Sequence, residues 1–220
     1  MTATLTYRDK IAVLDLGNDE NRFSPEWLDS VNGLLDDVQE HGSQALVTTS
    51  TGKFYSNGLD LDWLMANGDR TDWYVGKVQA LFSRILTFPL PTVAAVAGHA
   101  FGAGAMFGMA HDYRVMRSDR GFYCFPEVDI HIPFTPGMAA LIQAKLTPQT
   151  AVKAMTTGHR FGGTEAHASG LVDATAPEGA VLDAAIELVA PIGAKDPGTL
   201  GAIKSTMFAP AIAALVSDQS

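Results

Sequence analysis

The stretch PTVAAVAGHAFGAG, Pro91–Gly104, reads as two elements joined without a linker. Thr92–Ala97 is a run of small apolar and β-branched residues, the pattern of a strand buried on both faces. Gly98-His99-Ala100-Phe101-Gly102-Ala103-Gly104 follows at once and opens a helix. A strand that feeds directly into a glycine-containing helix start is the unit of an α/β chain. Upstream, Ile11–Leu16 reads as a first strand, and Ser24-Pro25-Glu26 starts a helix with a capping hydroxyl, a proline at the first helical position and an acid in the first turn. Trp27, Val31, Leu34, Leu35 and Val38 keep helical spacing, Gly42 closes that helix, and Ala45–Thr49 is a second buried strand. Thr51–Asp60 (TGKFYSNGLD) reads as a loop, with a short helix from Asp60 and a longer one from about Asp72 that Pro89 and Pro91 end. Downstream, Tyr113–Met116 and Phe122–Phe125 read as short strands, and Pro133–Pro136 as a turn. Met138–Lys145 and Pro148–Thr157 read as helices, and Leu171–Ala174 as a last strand. The remainder reads as helical, broken at Pro191 and Pro197. The expectation is one α/β domain with mainly parallel pairing and no strict tandem repeat.

The totals agree. At 220 residues, with 47% hydrophobic and 18% charged, the chain is globular in composition and of single-domain size. A formal net charge of −9 argues against nucleic acid as a partner, because phosphates demand clustered cations. An anionic ligand needs only local cations or helix N-termini. The sole cysteine, Cys124, excludes an intramolecular disulfide and fits a reducing compartment. Met1–Lys10 carries no apolar signal core, no apolar stretch is long enough for a bilayer, and the tail Ser217–Ser220 is no peroxisomal or lipidation signal. The expectation is a cytoplasmic protein without a membrane partner.

Two loops point to chemistry: Ser56-Asn57-Gly58-Leu59-Asp60 and Gly102-Ala103-Gly104. Each precedes a helix, where backbone N–H groups lack acceptors. Two such groups aimed at one point stabilise an enolate or tetrahedral oxygen. Either loop alone is better explained by tight helix–strand packing, because glycine at a helix start is common. Neither matches a nucleotide motif, since the third glycine and the following Lys-Ser/Thr are missing. Glu127, in Phe125-Pro126-Glu127-Val128-Asp129-Ile130, is an acid among apolar residues, a setting that raises a carboxyl pKa toward neutrality, although a solvent-facing acid in a turn reads the same way. Glu127, Asp129 and His131 alternate, but nothing completes a metal shell around them, so no metal is expected. His111-Asp112 reads as a capping or structural pair and Cys124 as inert packing.

Taken in order, these segments resemble the crotonase (enoyl-CoA hydratase/isomerase) family. Gly52-Lys53-Phe54-Tyr55-Ser56-Asn57-Gly58-Leu59-Asp60-Leu61 is similar to that family's first loop, and Pro91–Ala100 leads into Gly102-Ala103-Gly104 as its second loop does. His111-Asp112-Tyr113-Arg114, Phe125-Pro126-Glu127-Val128, Thr157-Gly158-His159-Arg160 with Glu165-Ala166, and Gly170-Leu171-Val172-Asp173 continue the pattern. The resemblance implies a spiral of ββα units with a helical C-terminal region, and a coenzyme A thioester as substrate with no separate cofactor. It implies that the backbone N–H groups of Leu59 and Ala103 form an oxyanion hole, with Glu127 as the acid–base residue. The nucleotide of CoA would lie near the first loop, with the acyl chain running toward the second. Lys53, Ser56, Gly58, Asp60, Gly102, Gly104 and Met106 are the substrate-binding positions it suggests, and Lys204 a residue for a CoA phosphate, although an ordinary helix lysine fits there as well.

One departure decides the expected reaction. Family hydratases carry two glutamates, and the first of those positions is Met106 here. Methionine neither activates water nor protonates carbon. One carboxylate over an oxyanion hole suffices to shift a double bond, so the expectation is a Δ3,Δ2-enoyl-CoA isomerase resembling plant and peroxisomal forms. The alternatives are a hydratase, or another enolate-forming enzyme, that recruits His99, Asp129 or His131, and an idle acyl-CoA-binding protein. Leu59 replaces a common small residue and narrows the acyl pocket. Residues 1–175 are expected to form the core and 176–220 a helical segment of the same domain that makes oligomer contacts, in a homotrimer or a dimer of trimers.

Overall fold

In the computed structural model, which describes residues 3–217, the chain begins β1 (Thr4–Arg8), β2 (Ile11–Asp15), α1 (Pro25–Glu40), β3 (Ala45–Thr49) and β4 (Phe54–Ser56). It continues α2 (Leu61–Ala66), α3 (Thr71–Leu86), β5 (Thr92–Val96), β6 (His99–Phe101), α4 (Ala103–Ala110), β7 (Tyr113–Arg117) and β8 (Tyr123–Cys124). The last third is α5 (Pro136–Lys145), α6 (Pro148–Thr156), α7 (Gly163–Ala168), β9 (Ala174–Ala176), α8 (Val181–Val189), α9 (Pro197–Met207) and α10 (Ala209–Ser217). The expected 1–175 and 176–220 segments, the N-terminal reading at Met1 and the tail reading at Ser217–Ser220 each extend outside the described residues.

Helix starts follow from side-chain chemistry. Ser24, Thr135, Thr147 and Asp196 each accept a backbone N–H three residues on, and each is followed by proline. Proline at the first helical position loses no hydrogen bond and presets φ. Pro136 and Pro197, read from sequence as a turn residue and a break, therefore open α5 and α9. The last helical region is interrupted at Pro191 and before Pro197 as expected, and once more at Phe208, where α9 and α10 meet at 75°. Among the described residues no single helix is long and apolar enough to cross a membrane.

Six strands form one sheet in the order β1-β2-β3-β5-β7-β9, parallel except for β1 on β2, and β4-β6-β8 form a second, parallel sheet. β3–β4, β5–β6 and β7–β8 each place a strand in the first sheet and then a short one in the second before turning into helices. The result is a spiral of ββα units, as the resemblance implies. The central strands are buried on both faces: Ile11, Ala45, Val47, Val93, Ala95 and Val115 pack with Val181, Ala185 and Val189 of α8. Their neighbours Ala12, Leu14, Leu46, Ala94, Val96 and Met116 pack into the larger core among the remaining helices. Double burial is why these strands read as continuous apolar runs.

Three strands escaped the sequence reading. β1 is an exposed edge strand of mixed residues, and β4 and β6 have three residues each, too few to show a period. The last strand is displaced to Ala174–Ala176, because Leu171 belongs to the end of α7: its N–H donates to Ala166 O at 2.8 Å and that of Gly170, at φ +68°, to His167 O at 3.0 Å. Those paired bonds close a helix with a left-handed glycine.

The C-terminal helices are anchored by Lys204, which is 5% exposed. Its ammonium donates to Phe88 O at 3.0 Å and Leu90 O at 2.8 Å, and pairs with Asp112 at 2.5 Å. Asp112 in turn accepts the N–H of Thr92 at 2.8 Å, so α9 is tied to the start of β5. Lys204→Met would strand a carboxylate and two carbonyls, and is expected to lower the unfolding free energy in urea by about 3 kcal/mol.

Candidate active site

Asn21 and Phe23, in the segment before α1, hold the first loop. Ser56 Oγ donates to Asn21 O at 2.8 Å and accepts the N–H of Gly58 at 3.1 Å. Asn57 N–H donates to Glu20 O, and Phe23 N–H to Gly58 O. Asp60 N–H donates to the Tyr74 hydroxyl, which donates to Phe23 O, and the Asp60 carboxylate caps α2 through Trp63 N–H. Each loop N–H from Asn57 to Asp60 thus has an acceptor except that of Leu59, which finds none among the described residues.

Among the described residues, the second loop likewise leaves one donor without an acceptor, that of Ala103. Gly102 N–H pairs with Cys124 O at 3.0 Å, and Ala103 is the first residue of α4, where an N–H has no intrahelical acceptor. The loops are in van der Waals contact. Gly58, at φ +80°, leaves so little room that a methyl there would stand 2.9 Å from Ala103 N, and one on Gly104 would stand 2.4 Å from Ser56 O. The free N–H groups of Leu59 and Ala103 are therefore carried on one rigid junction.

Glu127 follows β8 in a coiled turn, where Asp129 and Ile130 N–H return to Pro126 O and Ile132 N–H to Glu127 O. Its Oε1 would lie 3.3 Å from a methyl on Gly102, adjacent to Ala103. The residue is 8% exposed, and Oε2 has no hydrogen-bond partner among the described residues. Burial without a cation raises its pKa from 4.5 to about 7, opposed only by a bond from its own backbone. The turn breaks the expected alternation, and His131 adopts φ +59°.

These groups share a cavity of about 310 Å³. Leu59, Gly102, Ala103 and Glu127 line it, with Asn57, Leu61, Phe101 and Pro126, and with Ile130, Ile132, Arg22 and Arg160. Glu127 is the sole acid among them. Sequence reasoning missed Arg22 and Ile132 as wall residues, and it quoted Phe101, Ile130 and Arg160 only within motifs; no local signal distinguishes them from their neighbours.

Other expected positions go elsewhere. Ser56 and Gly58 are buried and shape the loop, Gly104 packs α4 on β4, and Asp60 caps α2. Met106 is 1% exposed in the core. Lys53 lines a separate crevice with His99, Arg117 and Arg120. The expectation for Lys204 is corrected: buried against two carbonyls and Asp112, it faces no open ligand site. His111 is structural as expected, with both ring nitrogens bonded to Thr48 and Phe107 O, and burial drives its pKa down to about 3.

The sign of the Glu127 effect is testable before any turnover is measured. The folded state holds this proton more tightly than the unfolded chain, so stability is lost as pH rises through about 7. Glu127→Gln is expected to raise the urea unfolding free energy at pH 8.5 by up to about 3 kcal/mol, with the gain fading as pH falls toward 4.5.

Comparison with known proteins follows this geometry. Residues 7–219 match the model of the Enoyl-CoA hydratase/isomerase family. Enoyl-CoA delta isomerase 3 of Arabidopsis thaliana is 37% identical over 202 residues, covering 87% of this chain and 85% of that one. A putative enoyl-CoA hydratase of Thermus thermophilus is 32% identical over 209 residues, covering 90% and 81%. The structure of an apo enoyl-CoA isomerase of Mycobacterium tuberculosis superposes with a TM-score of 0.90 at 25% identity, covering 99% of this chain and 95% of that one. The chain belongs to the enoyl-CoA hydratase/isomerase family.

Proposed function

We propose that this protein is a Δ3,Δ2-enoyl-CoA isomerase, and that Glu127 is its proton shuttle. The observation that carries the reading is a cavity with one carboxylate, raised toward neutral pKa, beside two unclaimed backbone donors. Glu127 takes a C2 proton from a 3-enoyl thioester. The electron pair moves onto the thioester oxygen, which the N–H groups of Leu59 and Ala103 receive, and Glu127 returns the proton to C4. The atoms balance without water, redox or any cofactor beyond the coenzyme A of the substrate. A base with pKa near 7 is half-ionised at neutral pH, the condition that best serves both proton transfers. Adding water would need a second acid–base group; Met106 is buried in the core, and His99, Asp129 and His131 do not line the cavity.

The test uses trans-3-hexenoyl-CoA and crotonyl-CoA. Wild type is expected to convert the first to the 2-enoyl thioester and to leave the second unhydrated, with an acid limb in kcat/KM near pH 7. Glu127→Gln should lower kcat by about 10³-fold. Formation of 3-hydroxybutyryl-CoA from crotonyl-CoA would establish the hydratase instead, and binding without turnover of either ester an idle binder.

Assembly as a trimer or a pair of trimers is part of the same proposal. Ile203 and Met207, one turn apart on α9, are 56% and 70% exposed, which supports association through the C-terminal helices. Light scattering is expected to give at least three chains per particle, and Ile203→Asp with Met207→Asp a smaller one. A cytoplasmic location fits the single buried cysteine.

A further inference from the structure

The cavity that holds Glu127 carries two guanidinium groups, and they differ. Arg22, beside the first loop, is engaged by Glu20 at 2.5 Å and Asp62 at 3.6 Å. Arg160, on the side of the second sheet, has no carboxylate or hydrogen-bond partner among the described residues; its guanidinium carbon lies 5.7 Å from the Phe101 ring centre. The chain has 24 acids and 15 lysines and arginines, and Arg8, Arg84, Arg114 and Arg117 each find an acid. An exposed guanidinium left unneutralised in the wall of a reaction cavity is available to a ligand.

Its place in the cavity is set by the second sheet. Phe161, the next residue, exchanges two backbone hydrogen bonds with Tyr123 of β8, and the Arg160 guanidinium lies over the Phe101 ring of β6, so Arg160 stands on the second-sheet side of the cavity. Phe101, Ile130 and Ile132 supply apolar wall in the same cavity, and both isoleucines are more than a third exposed.

We propose that Arg160 binds an anionic group at the far end of the acyl chain, so that the site accepts enoyl thioesters of dicarboxylic acids. The proposal rests on the isomerase reading, with the acyl group directed past Ala103 toward the second sheet. A methyl-terminated chain gains only apolar contact there. A terminal carboxylate gains charge-assisted N–H···O bonds from a planar fork that has no internal acid to release first. The double-bond shift itself is unchanged: the proton travels from C2 to C4 and the distal carboxylate takes no part.

Calorimetry on saturated analogues separates recognition from turnover. Hexanoyl-CoA and a C6–C10 series of ω-carboxyacyl-CoA esters would be titrated into wild type, Arg160→Gln and Arg160→Lys. The best-fitting ω-carboxyacyl ester is expected to bind Arg160→Gln about tenfold more weakly than wild type, with Arg160→Lys between them and hexanoyl-CoA unaffected. Equal weakening of every ester would overturn the proposal and place Arg160 on a CoA phosphate, and no change in any would make it a spectator. Failure of 3-hexenoyl-CoA turnover with the carboxylate preference intact would sink the isomerase reading and leave the Arg160 assignment standing.

Discussion

The contact between the first and second loops is the constraint on which the site depends. Gly58 lies in a conformation that favours glycine and presses on the start of α4, with no room for a side chain. That approach fixes Leu59 and Ala103 relative to each other, since each follows its glycine directly in the chain. Around the junction, the neighbouring N–H groups donate to Glu20 O, Ser56 Oγ and the Tyr74 hydroxyl. Two are left over. Donors that are fixed before substrate arrives need no reorganisation when negative charge develops, which is the condition for electrostatic stabilisation of an enolate.

Glu127 completes the site by the opposite device, since it has been deprived of partners rather than supplied with them. Neither guanidinium of the cavity registers on its proton affinity, one carboxylate oxygen has no hydrogen bond, and its pKa is accordingly lifted to about 7. The cost appears as a fold that is less stable when this residue is ionised. The spiral makes the arrangement possible. Each strand pair turns from the first sheet into the second at the same side of the molecule, so the loops after β4, β6 and β8 converge although they are far apart in sequence.

Much of this was legible in the chain. Doubly buried strands write continuous apolar runs, and helix starts write a Ser, Thr or Asp followed by proline, so β2, β3, β5, β7 and most helices could be read directly. The short strands β4 and β6 could not, because three residues carry no period and their pairing is long-range. The repeat of ββα units is visible in space and hidden in sequence, since each turn fills a different part of the core.

Residue chemistry and local spacing by themselves determined the α/β class, the two glycine loops, and Glu127 as an acid in apolar company. The resemblance to the family's motifs added that Met106 stands where its hydratases carry a second glutamate. Only the tertiary structure decided which candidates share a cavity. It sent Lys53 to another crevice and Lys204 into a buried ion pair with Asp112, and it brought Arg22 and Arg160 to the walls around Glu127. The reason is that a charged side chain's role depends on which distant groups neutralise or desolvate it, and those neighbours are set by chain packing across the fold.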